Sequence, residues 1–367
     1  MDKNELKHWV GFSLIDGIGA SRGNRIANFF DTMENAWNAS ESDLARAGIE
    51  EKVIEEILKM RKKIDLDKEM QKIEKEGISL LTIKDKKYPK LLKEIYNPPF
   101  LLYIRGELKN EDEYAIAVVG ARKSSDYGRQ VTRDISIALA QNKITVISGL
   151  ASGIDGMAHS AVLSTSEGRT IAVLGSGIDD DSIYPAENKK LAHQIIAGRG
   201  AVISEYPIGT PPLKQNFPSR NRIVSGLSLG VLVAEATATS GSLITAQCAL
   251  EQDREVFAIP GFIYNKNSSG PNALIKKGAK LVENVEDILE ELNLKSVAQE
   301  IEAQEVIPEN ENEGKIIKEL ELESKHVDEL VLLTGISISD LNALLVTMEM
   351  KGSIKNIGGG NYILAKR

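Results

Sequence analysis

The stretch from Phe217 to Ala246, FPSRNRIVSGLSLGVLVAEATATSGSLITA, combines side chains and turns suited to holding an anion. Arg220, Asn221 and Arg222 stand together beside prolines that stiffen the loop, and no carboxylate occurs from Tyr206 to Ala234, in a chain of formal net charge -8. Cations that no nearby anion answers imply an anionic partner. Beyond the following apolar strand, Ser240-Gly241-Ser242 turns into a helix whose first amides and hydroxyls can cradle a phosphate. Nucleic acid or nucleotide is therefore the first chemistry to consider.

Three further turns follow apolar strands. In VVGARKSSDYGRQ, Gly120 permits a tight turn from which Arg122 and Lys123 project, with Arg129 and Arg133 on the helix beyond. SGLASGID, Ser148 to Asp155, lets backbone amides converge around Ser148 and Gly149, and GSGIDDDSIYPAEN is the third. Open α/β sheets bind ligands beyond the carboxyl ends of their strands, where these turns must lie. Each also has a plain structural reading as tight packing. Asp179, Asp180 and Asp181 read as a solvated loop rather than a metal site, His159 as a helix–sheet contact or a solvent-facing residue, and Cys248 as packing. No GxxxxGK[ST], complete GxGxxG, nucleophile elbow or paired-carboxylate arrangement appears. Anion-friendly turns without chemical machinery favour binding over catalysis, with no cofactor or metal expected.

The elements that must position these residues are legible in outline. Short apolar segments at 115–119, 144–147, 171–174, 201–204, 230–234 and 255–259 alternate with helical stretches, which predicts a mostly parallel sheet covered on both faces. Residues 1–80 read as a helical domain, 81–295 as an extended Rossmann-like α/β domain, 296–312 as an acidic linker, and 313–367 as three short helices and a hairpin, the outline of a winged helix. At 367 residues, 42% hydrophobic and 27% charged, the chain has the composition of an ordinary soluble protein. No apolar run approaches the roughly 20 residues that span a bilayer. A single cysteine and four histidines make neither a disulfide nor a zinc pattern, and a cytoplasmic location is expected. The acidic balance requires any nucleic-acid contact to use a local basic groove.

Taken in order, VVGAR with YG behind it, SGLASGID, GSGIDD with YPAEN, SEYP, FPSRNRIVSGLS, EATATSGSLITA with VFAIPG, and GPNALIKKGAKLV resemble the DNA-processing protein A family, also called Smf. The resemblance is dense over about 80–290 and weaker in the flanking regions. It implies a non-enzymatic, homodimeric mediator that binds single-stranded DNA. Such a mediator loads the RecA recombinase onto strands that single-strand-binding protein can coat, protecting incoming DNA during natural transformation. It carries DNA contact onto Arg122, Lys189, Arg220 and Arg222, with Ser240, Gly241 and Ser242 lining the same pocket. Gly120, Lys123, Ser148, Gly149, Lys214 and Asn221 are secondary phosphate candidates. With aromatic residues at only 5%, stacking platforms are few: Phe217 is the best placed, then Tyr127 and Tyr184.

The flanking regions carry open readings. Asp16-Gly17-Ile18-Gly19, with Arg22 and Arg25 beyond, fits a helix-hairpin-helix that meets DNA or a sterile-alpha-motif-like bundle that meets protein. The recognition helix expected in SDLNALLVTMEMK offers no arginine and one lysine against Asp340 and Glu349, which points to protein contact or regulation. The alternative for the whole chain is a Rossmann-type nucleotide phosphoribohydrolase of the lysine-decarboxylase-like group. Against it, EATATSGSLIT stands where PGGxGT and a catalytic Glu are expected. A regulatory nucleotide sensor is the third reading.

Overall fold

The computed structural model describes residues 2–294, 310–320, 324–350 and 353–364, so most of the acidic segment at 296–312 lies outside the described residues. The chain forms two compact units, Met1–Ile288 and Leu289–Arg367.

The first unit is built on a nine-stranded sheet. Its strands are β1 (Ser79–Thr82), β2 (Leu101–Gly106), β3 (Ala115–Val119), β4 (Thr145–Ser148), β5 (Thr170–Val173), β6 (Gly200–Ser204), β7 (Gly230–Val233), β8 (Glu255–Ala258) and β9 (Lys280–Leu281). The spatial order is β1-β2-β6-β5-β4-β3-β7-β8-β9. Strands β3 to β9 run parallel, because every residue of β3, β4, β5, β6 and β7 is buried on both faces and such strands need helical crossovers. The six strands expected from apolar runs are all present. The structure adds β9 beside β8 and, at the other edge, β1 and β2, which pair antiparallel with each other and, through β2, with β6. From β3 the chain steps through β4, β5 and β6 in one direction, then returns to place β7 on β3's other side. The crevice between β3 and β7 is thus a topological switch point, where open α/β sheets bind ligands.

Six helices, Lys3–Ser13, Ala20–Phe29, Met33–Asn38, Glu41–Arg46, Glu51–Met60 and Leu66–Lys75, precede the sheet and share one buried cluster with it. Trp9 stacks on Phe100 with ring centroids 6.1 Å apart, the Ser13 and Tyr103 hydroxyls lie 2.6 Å apart, and Asn24 donates to the Pro98 carbonyl at 2.8 Å. In the Asp16–Gly19 turn, Arg22 donates to Glu50 at 2.7 Å and to the Gly17 carbonyl at 2.8 Å, while Arg25 donates to the Gly48 carbonyl at 3.0 Å. Both guanidinium groups are thus tied into the helical region itself.

The second unit has the three helices and hairpin expected: Glu311–Leu320, Val327–Thr334 and Ile338–Met350, then β11 (Ile354–Gly358) and β12 (Asn361–Leu364). A short β10 (Lys325–His326) completes a sheet of order β10-β12-β11. Ile316, Leu330, Leu341, Leu345, Met348 and Ile354 form its buried centre, a winged-helix domain. Among the described residues no single helix is long and apolar enough to cross a membrane.

Gly23 marks how closely the helical region meets the sheet. A Cβ there would lie 2.4 Å from the Phe100 ring, which is itself only 4% exposed. Alanine inside a helix normally gains about 1 kcal/mol over glycine, but forcing a buried ring aside costs typically about 1–3 kcal/mol. Gly23→Ala is expected to lower the thermal midpoint by a few degrees in a melt followed by circular dichroism. An unchanged or raised midpoint would show that this packing yields freely.

Candidate nucleic-acid interface

At the β3/β7 crevice lies a cleft of about 670 Å³. Its walls come from the turn after β3 (Gly120 to Lys123), the turn after β4 (Gly149, Ala151, Asp155), helix Asn216–Gly226, and the turn after β7 with the start of helix Ser242–Glu251. Of the residues singled out from the sequence, it gathers Gly120, Arg122, Lys123, Gly149, Lys214, Phe217, Arg220, Asn221, Ser240, Gly241 and Ser242. It does not gather Ser148, Lys189 or Arg222.

The RNR block is not a stiffened loop, as its flanking prolines suggest, but the middle of helix Asn216–Gly226, with Pro218 tolerated in the first turn. At about 100° per residue, Arg220 and Arg222 point to nearly opposite sides. Arg222 forms a two-bond pair with Glu205, at 3.0 and 2.7 Å. The expectation that no anion answers these cations is therefore corrected: Glu205 stands one residue before the carboxylate-free span and neutralises Arg222 from an adjacent strand end.

Arg220 is 5% exposed and works as an internal strut. Its Nη1 donates to the carbonyls of Gly149 (2.8 Å) and Val173, tying the ends of β4 and β5 to the helix. Gly149 is glycine because a Cβ there would meet the guanidinium at 2.3 Å. Burial holds the Arg220 group down at about 10, while Asp155 pulls the other way. Burial likewise pushes the Asp155 carboxyl above its ordinary range, opposed by Arg220 and by the amides of Ala151, Gly149 and Gly120. The Asp155 carboxylate accepts from Gly149 N at 3.2 Å and Ala151 N at 3.4 Å, so it organises the β4 turn from beneath.

The cleft mouth carries the exposed charge. Arg122 sits 5.4 Å from the centre of the Phe217 ring, and Phe217 lies 5.8 Å from the Tyr184 ring. A cation and two rings thus share one wall, with Tyr184 44% exposed. Tyr127 is elsewhere, its hydroxyl donating to the Pro260 carbonyl at 2.8 Å. Arg122, Lys123 and Lys214 are exposed and form no ion pair among the described residues. On the opposite wall the Ser240 and Ser242 hydroxyls lie 2.9 Å apart, and Asn221 donates to the Gly241 carbonyl at 3.3 Å.

Other residues singled out from the sequence take different places. Ser148 is fully buried and donates to the Val118 carbonyl at 2.6 Å, joining neighbouring strands. Lys189 begins helix Lys189–Ala197 and stands 4.0 Å from Asp180, which Arg105 also binds at 2.7 Å. Asp179 is 8% exposed and accepts from Ser182 (2.9 Å) and from the Gly209 amide (2.8 Å), so it is an internal brace rather than a solvated carboxylate. His159 is the helix–sheet contact, hydrogen-bonded to Thr170 at 2.7 Å and held down at about 3 by burial.

Sequence reasoning missed Glu235. It is 1% exposed at the end of β7 and accepts from the Ser125 amide at 2.8 Å, the Ser125 hydroxyl and Asn267 at 3.3 Å. Its carbonyl takes the Ala121 amide at 2.7 Å, so one residue anchors the turn that presents Arg122. The available signal was Gly128 of the YG pair, where a Cβ would meet the Glu235 carboxylate at 2.3 Å.

Residues 79–293 match the model of the DNA recombination-mediator protein A family, and 301–360 that of the DprA winged helix domain. Protein Smf of Synechocystis is 34% identical over 99% of both chains. The structure of DNA processing protein A from Streptococcus pneumoniae superposes with a TM-score of 0.67 at 38% identity, covering 78% of this chain and 97% of that one. The corresponding protein from Helicobacter pylori, whose structure concerns its single-stranded DNA binding mode, gives a TM-score of 0.52 at 31% identity, over 59% and 95%. The chain belongs to the DNA recombination-mediator protein A family, the DprA/Smf proteins.

Proposed function

We propose that this protein binds single-stranded DNA in the β3/β7 cleft and acts as a non-enzymatic mediator of recombination. The observation that carries the reading is the cleft's one-sided chemistry. Arg122, Lys123 and Lys214 are exposed and unanswered, the Phe217 ring stands beside Arg122 with Tyr184 against it, and the one carboxylate among the described lining residues, Asp155, is committed to backbone amides. Cations that follow phosphates, with rings that accept any base face, suit a strand held without regard to sequence. The H. pylori relative's single-stranded DNA binding mode supports the same ligand.

Membership of the family supports the rest of the reading. A homodimer in the cytoplasm protects incoming strands during natural transformation and hands them to RecA, with single-strand-binding protein as a further partner. Ser240, Gly241 and Ser242 line the phosphate path with Arg122, Lys123 and Lys214. Arg220 and Asp155 set the floor. Lys189 and Arg222, each beside a carboxylate, belong to its margin. The phosphoribohydrolase alternative needs a free carboxylate in the cleft, and release of base from AMP would revive it.

Arg122→Ala/Lys214→Ala is expected to weaken binding of a poly-dT oligomer at least tenfold. The slope of log affinity against log salt should become shallower by about 1.4, or about 0.7 for each phosphate that is no longer neutralised. An unchanged slope would move the DNA path off this cleft. Arg220→Ala should instead lower the thermal midpoint, since removing one member of a buried charge network costs about 3–5 kcal/mol. Full stability with selective loss of DNA affinity would make Arg220 a DNA ligand, not a strut. Deleting 313–367 should leave single-strand affinity within tenfold, about 1.4 kcal/mol, because helix Ile338–Met350 presents no cation. A larger loss would give the winged helix a direct role.

A further inference from the structure

The chain leaves β8 as IPGFIYNKNSSG, and three consecutive apolar side chains, Phe262, Ile263 and Tyr264, stand 70%, 77% and 82% exposed. Single exposed apolar residues are ordinary, whereas a contiguous group marks a binding surface. The Phe262 and Tyr264 rings lie edge to face, with centroids 5.3 Å apart. The backbone beneath them is fixed. Asn272 holds Gly261 through two bonds, at 3.2 and 2.9 Å. The Asn265 amide donates to the Phe262 carbonyl at 2.9 Å, and the Asn265 side chain accepts from the Asn267 amide at 3.0 Å. A tip held at both ends loses little conformational freedom when a ligand settles on its rings.

That tip rises from the edge of the sheet that holds the cleft. Because β8 ends at Ala258 and runs parallel to β7, residues 259–268 follow the same carboxyl edge as the turns after β3 and β7. Two bonds tie the ends of the loop to the β3 side of the cleft. Tyr127, on the helix after β3, donates to the Pro260 carbonyl at 2.8 Å, and Asn267, itself a lining residue, donates to the Lys123 carbonyl at 3.0 Å. Three residues carry the chain from Asn267 to Tyr264, about 11 Å at most, which about three stacked nucleotides cover at about 3.4 Å each. The charge around the rings also resembles that of the cleft. No carboxylate occurs from Val256 to Val282, and Lys266 is exposed and forms no ion pair among the described residues. Glu235 is buried, and Asp126 is taken by Arg129. Rings set among Asn265, Lys266 and Asn267 differ from the centre of a protein–protein contact, which is depleted in charge.

We propose that the Phe262–Tyr264 tip is a base-stacking platform for the single strand held in the cleft, taking unpaired bases on Phe262 and Tyr264 about three nucleotides beyond Lys123. Lys266 stands beside the rings to meet the phosphates between. The inference rests on the cleft being the primary single-strand site. It gives the loop after β8 a grip on bases of any identity, since every base offers a ring face, and so a preference for long over short strands.

The test uses the full-length protein at low salt with fluorescent dT20, with dT4, and with an abasic strand as long as dT20. The variant is Phe262→Leu/Tyr264→Leu, which keeps apolar bulk and removes both rings, checked for an unchanged thermal midpoint. The expected result is a dT20 affinity weaker by about fivefold or more, with dT4 and the abasic strand within about twofold. The salt slope for dT20 should not change, because no cation is lost. Phe262→Tyr/Tyr264→Phe, which keeps both rings, should bind dT20 as the unaltered protein does. Unchanged dT20 binding by the leucine variant overturns the proposal. Equal loss for dT20 and dT4 also overturns it, since it would place the effect at the cleft, and equal loss for the abasic strand would show that no base is held. A change of mass in light scattering would make the tip a contact between copies of the chain and overturn it too. The Arg122→Ala/Lys214→Ala variant separates the two readings. If it leaves both oligomers unaffected while the leucine variant still weakens dT20, the cleft reading fails and the platform stands.

Discussion

A guanidinium buried among strand ends is the constraint on which the site depends. Taking a charged group out of water costs several kilocalories per mole unless its donors and its charge are both answered. Arg220 is answered by the carbonyls of Gly149 and Val173 and by the nearby charge of Asp155. Those partners stand just after β4, at the end of β5, and at the start of the helix that follows β4. The side chain therefore holds three separate pieces of backbone in one register. The same geometry explains Gly149, which leaves no room for a Cβ, and the buried position of Asp155, whose oxygen gathers two turn amides.

Around this floor the cleft is assembled from divided labour. Glu235 and Asp155, both buried, use their charge to shape backbone, and Glu205 neutralises Arg222 outside the cleft. The exposed cations at the mouth then face solvent without a local rival. Separating internal carboxylates from external cations lets an acidic chain keep a basic surface patch. It also makes the patch a small one.

The central sheet was legible because AIAVV, GAVIS and GVLV are apolar runs bounded by turn residues, and such runs have few alternatives to a doubly covered parallel strand. The added edge was less so: β1 and β2 are antiparallel and packed against helices, and β9 has two residues. Most of the cleft lining could be named from glycine-rich turns after strands. Which cations face it could not, because that depends on helical phase. Pro211, Pro212 and Pro218 made the RNR block look like a loop, whereas in a helix the two arginines diverge and only the first turns inward. Glu235 was invisible as a partner because it reaches Ser125, 110 residues away in sequence, and Glu205 because it stands just outside the span that carries Arg222. Local charge counting records neighbours along the chain and misses neighbours across a sheet.

The most direct measurement of the central claim is a crosslinking map. A 5-bromodeoxyuridine oligomer would be irradiated on the full-length protein and the adducts located by mass spectrometry. The account predicts adducts on Phe217, the ring beside Arg122, and on Tyr184, the ring against Phe217. Adducts confined to the winged-helix hairpin, or to the Asp16–Gly19 turn, would contradict it and place the strand elsewhere.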